Sequence, residues 1–251
     1  METLPAEFSQ YQRVTGRLRA EIIEGVWRPD ARLKVRDLAE HYGVSPAPVR
    51  EALQVLQGEG LVVLEANRGA RVRPIDEQVL INVFDVREAL ESFLAAKFAL
   101  GASPHQIAML KAIQTEHDAA MAREDASAAL VLNRRFHDFI NTAARNDEAV
   151  DVINRHIILT RALTLECGLT QARMTAITEE HHMLIAAFQR GDDALAHRIA
   201  ASHVRSSRDD LVERLRPILK SRAQERIRSG SGAAQPRPQG GSWPAHQQTT
   251  E

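Results

Sequence analysis

Apolar residues recur along the chain in two rhythms, and the change from one to the other divides it. From Gln10 to Glu24, Val14, Leu18, Ile22 and Ile23 fall on one face of a helix. Gly25 ends that helix, and Val26 to Leu33, which includes Pro29, is expected to be a loop leading to Lys34. Leu38 and Ala39 lie on a short amphipathic helix that stops at Gly43, a residue free to take positive φ where a helix must end. Ser45 is placed to cap the next helix by accepting a bond from a free backbone N–H, and Pro46 and Pro48 fall early enough to remove no needed donor. Val44, Val49, Leu53 and Leu56 are spaced to bury one face, and the second helix ends near Glu59 and Gly60. Two helices joined by so short a turn read as a helix-turn-helix, whose second helix is the one offered to DNA.

The rhythm then shortens. Leu61 to Leu64 is a β-prone run, Asn67-Arg68-Gly69 a turn, and Ala70 to Arg73 a returning strand, so this hairpin is a candidate wing closed by Pro74. Beyond it the helical period returns and holds to about Ile218. Val79, Val83, Val86, Leu90 and Leu94 mark a helix over roughly 76–100, halted by Gly101 and restarted at Ser103-Pro104. Further helices are expected over 104–123, 127–145, 147–166, 171–190 and 192–218, separated by Asp125, Asn146, Gly168 and Gly191-Asp192. Six helices of this length form a bundle. The fold class is therefore mainly α: a winged helix-turn-helix over 10–73 and an all-α bundle over 76–218. Residues 1–9 show no strong pattern and are expected to fray, and 229–251 are low-complexity, too polar to build a core, and expected to be disordered.

Composition agrees with this division. A chain of 251 residues accommodates two domains, and 44% hydrophobic with only 4% aromatic residues favours helices. No apolar run approaches bilayer length and no signal-peptide pattern opens the chain, which points to a cytoplasmic protein. A single cysteine, Cys167, excludes an internal disulfide and a thiolate-rich metal site. The net charge of −1 conceals an uneven distribution: residues 11–73 hold 11 Lys/Arg against 8 Asp/Glu, whereas 74–216 hold 16 against 21. A mildly basic head on an acidic body suits a head that meets phosphate.

The bundle carries a second constellation. Asn133 and His137 are four apart and project from one helical face. His181 lies on the stripe of Ile177, Leu184, Ile185 and Phe188, and His203 follows Ile199 by one turn. Inward imidazoles need partners, because unmet ring nitrogens in an apolar core are costly. Three of them with one side-chain oxygen supply what Zn²⁺, Ni²⁺ or Fe²⁺ binds, with positions left for water or a ligand. Taken singly, each histidine is better explained by a backbone carbonyl or carboxylate partner. Arg87 sits on the inward face among Val83, Leu90 and Leu94, one turn from a possible partner in Glu91.

The segment RLKVRDLAEHYGVSPAPVREALQVLQGEGLV, followed by RGARV, resembles the winged helix-turn-helix of GntR-family transcriptional regulators. The helical remainder resembles the C-terminal ligand-sensing FCD domain of the FadR-like subfamily; together the two cover about residues 11–216. The resemblance implies a homodimeric regulator of one operon or a few, commonly a repressor, whose grip on operator DNA changes when a small organic acid binds the second domain. It assigns Arg36 and Arg50 to operator contact, with Ser45 beside them, and Gly69 to the wing tip that enters the minor groove. Pro46 departs from the commoner pattern, which has arginine after the serine. Arg50 alone would otherwise be read as pairing with Glu51 or Glu40.

The same resemblance assigns metal ligation to Asn133, His137, His181 and His203, and an effector contact to Arg87; His182 falls where the family has a surface residue. An amide and three neutral imidazoles leave a divalent charge uncompensated, so an anionic effector is expected to complete the shell. Two rivals stand beside this reading. A metal-dependent enzyme on three histidines needs an acid–base group, and Glu180 is expected to turn away from His181. A DNA-binding protein with a purely structural bundle needs no ligand at all.

Overall fold

The structure, a computed structural model, describes residues 9–65 and 69–228. Helix α1 (Gln10–Ile23) opens at Ser9, which exchanges bonds with Gln12 in a capping box and so satisfies two of the free donors at the helix start. Helices α2 (Val35–Tyr42) and α3 (Pro46–Gly58) meet at Gly43, whose φ of 65° is the left-handed conformation that the sequence requires there. Ser45 is the residue before α3 but its side chain makes no capping bond, contrary to expectation. Pro46 at the first helical position removes one of the donors that would otherwise need a cap.

The stretch read as a loop from Val26 to Leu33 contains a strand, β1 (Arg32–Leu33). It pairs antiparallel with β3 (Gly69–Val72), which also pairs with β2 (Val62–Glu65), giving the order β1-β3-β2. Gly69 opens β3 at φ 89°, and a Cβ built there would stand 2.4 Å from the Leu33 carbonyl oxygen. The glycine therefore lets β1 and β3 approach. The expected turn residues Asn67 and Arg68, like the expected disordered tail, lie outside the described residues.

Helices α4 (Glu77–Gly101), α5 (Pro104–Ala122), α6 (Ala126–Ala143), α7 (Asp147–Cys167), α8 (Gln171–Arg190) and α9 (Asp193–Arg228) form the bundle. On α4 the buried face is carried by Leu80, Val83, Phe84, Leu94 and Phe98, while Val86 is 41% exposed. Helix α9 runs past the expected stop at Ile218, through Pro217, and is fastened to α4 by Arg205–Glu88, Arg208–Asp85 at 2.8 Å and Arg216–Glu77 at 2.8 Å. The bundle core centres on Leu94, Phe98, Phe136, Ile140, Leu184 and Phe188, with Phe98 set edge-on to Phe188 at 4.8 Å. The head's core includes Leu18, Leu38, Val49, Leu53 and Leu56, and also takes in Val83 of α4 and Leu159 of α7. Head and bundle thus share buried apolar surface. No described helix is long and apolar enough to cross a membrane.

Candidate metal centre and nucleic-acid interface

His137 on α6, His181 on α8 and His203 on α9 converge, and each offers a ring nitrogen within 4.8 Å of the others. The expected trio is brought together by three helices of the bundle. His181 is fully buried, stacked on Phe136 at 3.9 Å, and His203 is buried beside it.

Each of the two buried rings has its other nitrogen engaged. His181 Nδ1 donates to Gln114 Oε1 at 2.8 Å, and Gln114 Nε2 in turn donates to Asp118 Oδ1 at 2.6 Å. His203 Nδ1 donates to Glu180 Oε2 at 2.6 Å. Arg173 is buried across α8 and fixes Glu180 (Nη1 to Oε1, 3.1 Å), then donates to the His203 carbonyl and Ser207 Oγ. Proton-bearing Nδ1 atoms leave Nε2 as the lone-pair donor, the arrangement in which a metal-binding imidazole is oriented by a carboxylate or amide behind it. Glu180, expected to point away, does miss His181 but reaches His203 instead.

The electrostatics agree. Burial pushes the His137 and His181 rings well below their ordinary pKa, with a further push from neighbouring histidines and from Arg173, and also from Arg87 and Arg134 at His137. Both are therefore neutral and able to donate a lone pair near neutral pH. Burial alone would raise Glu180, but its bonds to His203 and Arg173 outweigh that and hold it below the usual carboxylate range.

Two observations test whether a divalent ion fits. His181 Nε2 and His137 Nε2 stand 3.2 Å apart; two nitrogens on one Zn²⁺ at about 2.0–2.1 Å, and about 90–110° apart, are separated by about 2.8–3.4 Å. Asn133 Oδ1, one turn before His137, is buried without a hydrogen-bond partner. A buried acceptor of that kind is unusual and calls for an explanation. The donor set of three imidazoles and one amide oxygen suits Zn²⁺, Ni²⁺ or Fe²⁺.

Arg87 pairs with Glu91 (Nε to Oε1, 2.7 Å) and lies over Phe84, so the rival reading of a buried pair is realised; its charge still reaches His137. The residues around the centre that the sequence did not single out are Gln114, Arg134, Arg173 and Ser207. Only Arg173 gave a signal, standing two turns before Glu180 on the same face of α8.

In the head, Arg36 on α2, and Ser45 and Arg50 at the start of α3, are all exposed, and neither arginine forms an ion pair among the described residues. Arg50 does not engage Glu51 or Glu40. By contrast Arg71 is tied to Asp30 and Glu65, and Arg19 to Glu59. Cations held by neighbours serve the fold, whereas the unpaired ones are available to phosphate or guanine.

Comparison with known proteins draws these parts together. A family model described as "Bacterial regulatory proteins, gntR family" matches residues 10–72, and one described as "FCD domain" matches 82–206. The Nta operon transcriptional regulator of Aminobacter aminovorans is 26% identical over 193 residues, 76% of this chain and 89% of that one. The HTH-type transcriptional repressor GlaR of Escherichia coli (strain K12) is 37% identical over 79 residues, 32% of this chain and 36% of that one. The solved structure of E. coli McbR/YncC superposes with a TM-score of 0.67 at 22% identity, over 82% of this chain and 98% of that one, which establishes the fold. With a DNA-reading head, a second domain matched over most of its length and relatives that are regulators, the chain belongs to the GntR family of bacterial regulatory proteins, carries an FCD domain, and is a transcriptional regulator rather than an enzyme.

Proposed function

We propose that this regulator is a homodimer whose operator affinity is set by a divalent metal and a small carboxylate held in the bundle. The observation that carries the reading is the convergence of three imidazole nitrogens within 4.8 Å of one another, beside a helix that also carries two unmet polar atoms. Asn133 Oδ1 is a buried acceptor with no donor, and Arg134 Nη1, on the adjacent residue, is a buried donor with no acceptor. A cation satisfies the first and an anion the second. Asn133, His137, His181 and His203 would hold the metal, which supplies a positive charge on which a carboxylate can close the shell. Arg87 and Arg134 add positive potential without supplying a further ligand. On this reading residues 10–73 act as the DNA-binding unit and 76–218 as the sensing and dimerising unit.

In the head, Arg36 and Arg50 would contact operator DNA, Ser45 a phosphate, and Gly69 would hold the wing in register. The second copy would cover Val86, Phe93 and Leu100, which recur every seventh residue along α4 and are 41%, 48% and 71% exposed. Two heads on a two-fold axis must match half-sites at a fixed spacing, so a small rearrangement of the bundle changes affinity strongly. Repression is the form supported by relatives named as repressors, and on this reading the ligand would relieve it. The test is calorimetric titration of a carboxylate panel into zinc-loaded and chelator-stripped protein, repeated with His181→Ala. Binding that needs both metal and His181 is the expected result; carboxylate binding indifferent to both rejects the reading, and no binding at all leaves the bundle structural.

A further inference from the structure

The head and the bundle meet along α7, where one polar side chain is bonded on the bundle side and lines a cleft shared with the head. Asn154 Oδ1 accepts from Arg134 Nη2 at 2.8 Å, on the side of the three-histidine centre. Asn154 also lines a cleft of about 240 Å³ together with Arg19, Glu59, Leu61 and Ile158. On the opposite wall Arg19 Nε and Nη2 grip both Glu59 oxygens, at 2.8 and 2.5 Å, and Glu59 is the residue that terminates α3, the helix offered to DNA. One turn further along α7, Leu159 is buried in the head's own core with Ile158 packed against it.

From this geometry we infer that Asn154 is a positioning residue that carries the state of the histidine centre to the DNA-reading helix. The inference rests on the sensing role proposed above and names its route. Arg134 has three nitrogens with three fates: Nε is held by Asp138 at 2.7 Å, Nη2 by Asn154, and Nη1 is buried without a partner. An anion arriving at Nη1 competes for the guanidinium and changes its hold on Asn154. Helix α7 has room to respond because the cleft lies on that side, and its Ile158–Leu159 face transmits the shift to the head's core. Small slides of packed helices are a common form of such switching.

The experiment measures operator dissociation constants, on a fragment selected from random sequence by the wild-type protein, in two states: chelator-stripped, and loaded with Zn²⁺ plus L-malate as the carboxylate probe. Wild type is expected to differ between the states by about tenfold, within the usual range for coupled sites. In Asn154→Ala the ratio falls to about twofold or less while the zinc dissociation constant stays within about threefold of wild type, and Asn154→Asp, which keeps the acceptor, restores the ratio. Glu59→Gln loosens the other wall without touching α7 and reduces the ratio likewise, so the route is tested even where Asn154→Ala does not fold. A full tenfold ratio in either folded variant overturns the relay alone. A wild-type protein whose operator affinity is the same in both states overturns the sensing role and the relay together.

Discussion

Replacing His181 with alanine separates its packing role from its proposed metal role, because the two respond differently to zinc. In the metal-free protein the ring is fully buried against Phe136, and its Nδ1 satisfies Gln114. Removing it leaves a void and a buried amide oxygen without its donor, at a cost of about 3 kcal/mol, the low end for truncating a large buried ring. That loss appears with or without metal. Zinc at a hundredfold excess over its dissociation constant stabilises a protein that binds it only when folded by about 2.7 kcal/mol. For a chain of this size that is a rise of roughly 5–10 °C in Tm. The variant keeps two imidazoles of three, so the zinc-dependent part is expected to vanish while the zinc-independent loss remains. The assay is a pair of thermal scans, in chelator and in zinc, for wild type, His181→Ala and His182→Ala; His182 is exposed and pairs with Asp118, so its variant keeps the full response. Equal zinc-dependent rises in wild type and His181→Ala refute the site.

Four other outcomes are expected. Arg50→Ala removes an exposed cation from the start of α3 and lowers operator affinity by at least about 1–3 kcal/mol in a gel-shift titration, with no change in Tm. Gly69→Ala forces a Cβ onto the Leu33 carbonyl at positive φ and destabilises the head by about 2–3 kcal/mol, read as lost operator binding with zinc binding intact. Phe93→Asp places a charge in the exposed α4 stripe and converts the dimer to monomer in sedimentation at unchanged helix content. Metal-free protein loses stability as the pH falls below about 6.5, because His137 and His181 have depressed folded pKa values and the unfolded chain binds protons first; the slope is at most about 1.4 kcal/mol per pH unit for each ring, and an acid branch that is flat below that pH contradicts the neutral assignment.

What could be read from the sequence was what local chemistry specifies. The helix-turn-helix depends on Gly43 and Pro46, whose conformational preferences act within a few residues, and both behave as expected. Strand β1 is only two residues long and exists through its pairing with Ala70 and Arg71 nearly forty positions later, so no local pattern marks it. On α4 the apolar positions form two faces, one turned to the core and one, with Val86, outward; a periodic stripe marks the helix but cannot say which apolar face is covered. The histidines were legible because each sits at a recognisable spacing within its own helix. Their supporting groups were not: Glu180 reaches His203 only through the packing of α8 on α9, and Gln114 reaches His181 across 67 positions. Ser45 shows the reverse case, a residue in the right place that makes no capping bond: Pro48, the third residue of α3, has no N–H to give, whereas Ser103, also followed by proline, caps α5 through the N–H of Gln106.

The distribution of unsatisfied groups bears on why such a centre sits in the middle of a bundle. Among the described residues, buried side-chain atoms without a hydrogen-bond partner include Asn133 Oδ1, Arg134 Nη1 and Arg173 Nε, from residues beside His137 or in contact with His203. Each such atom costs about 1–3 kcal/mol relative to a satisfied one. A purely structural bundle would gain by replacing them with apolar side chains, as the neighbouring core of Phe98, Phe136, Ile140 and Phe188 already does. On the proposed function, such deficits lower the stability of the ligand-free bundle, and a metal with its anion would be the complement that removes those of Asn133 and Arg134. A ligand can shift a conformational equilibrium only by its differential affinity for the two states. The same polar atoms that weaken the empty bundle therefore set the largest shift its ligand can produce, and substituting Asn133 and Arg134 together by leucine and methionine should yield a bundle that is more stable without metal and no longer answers to it.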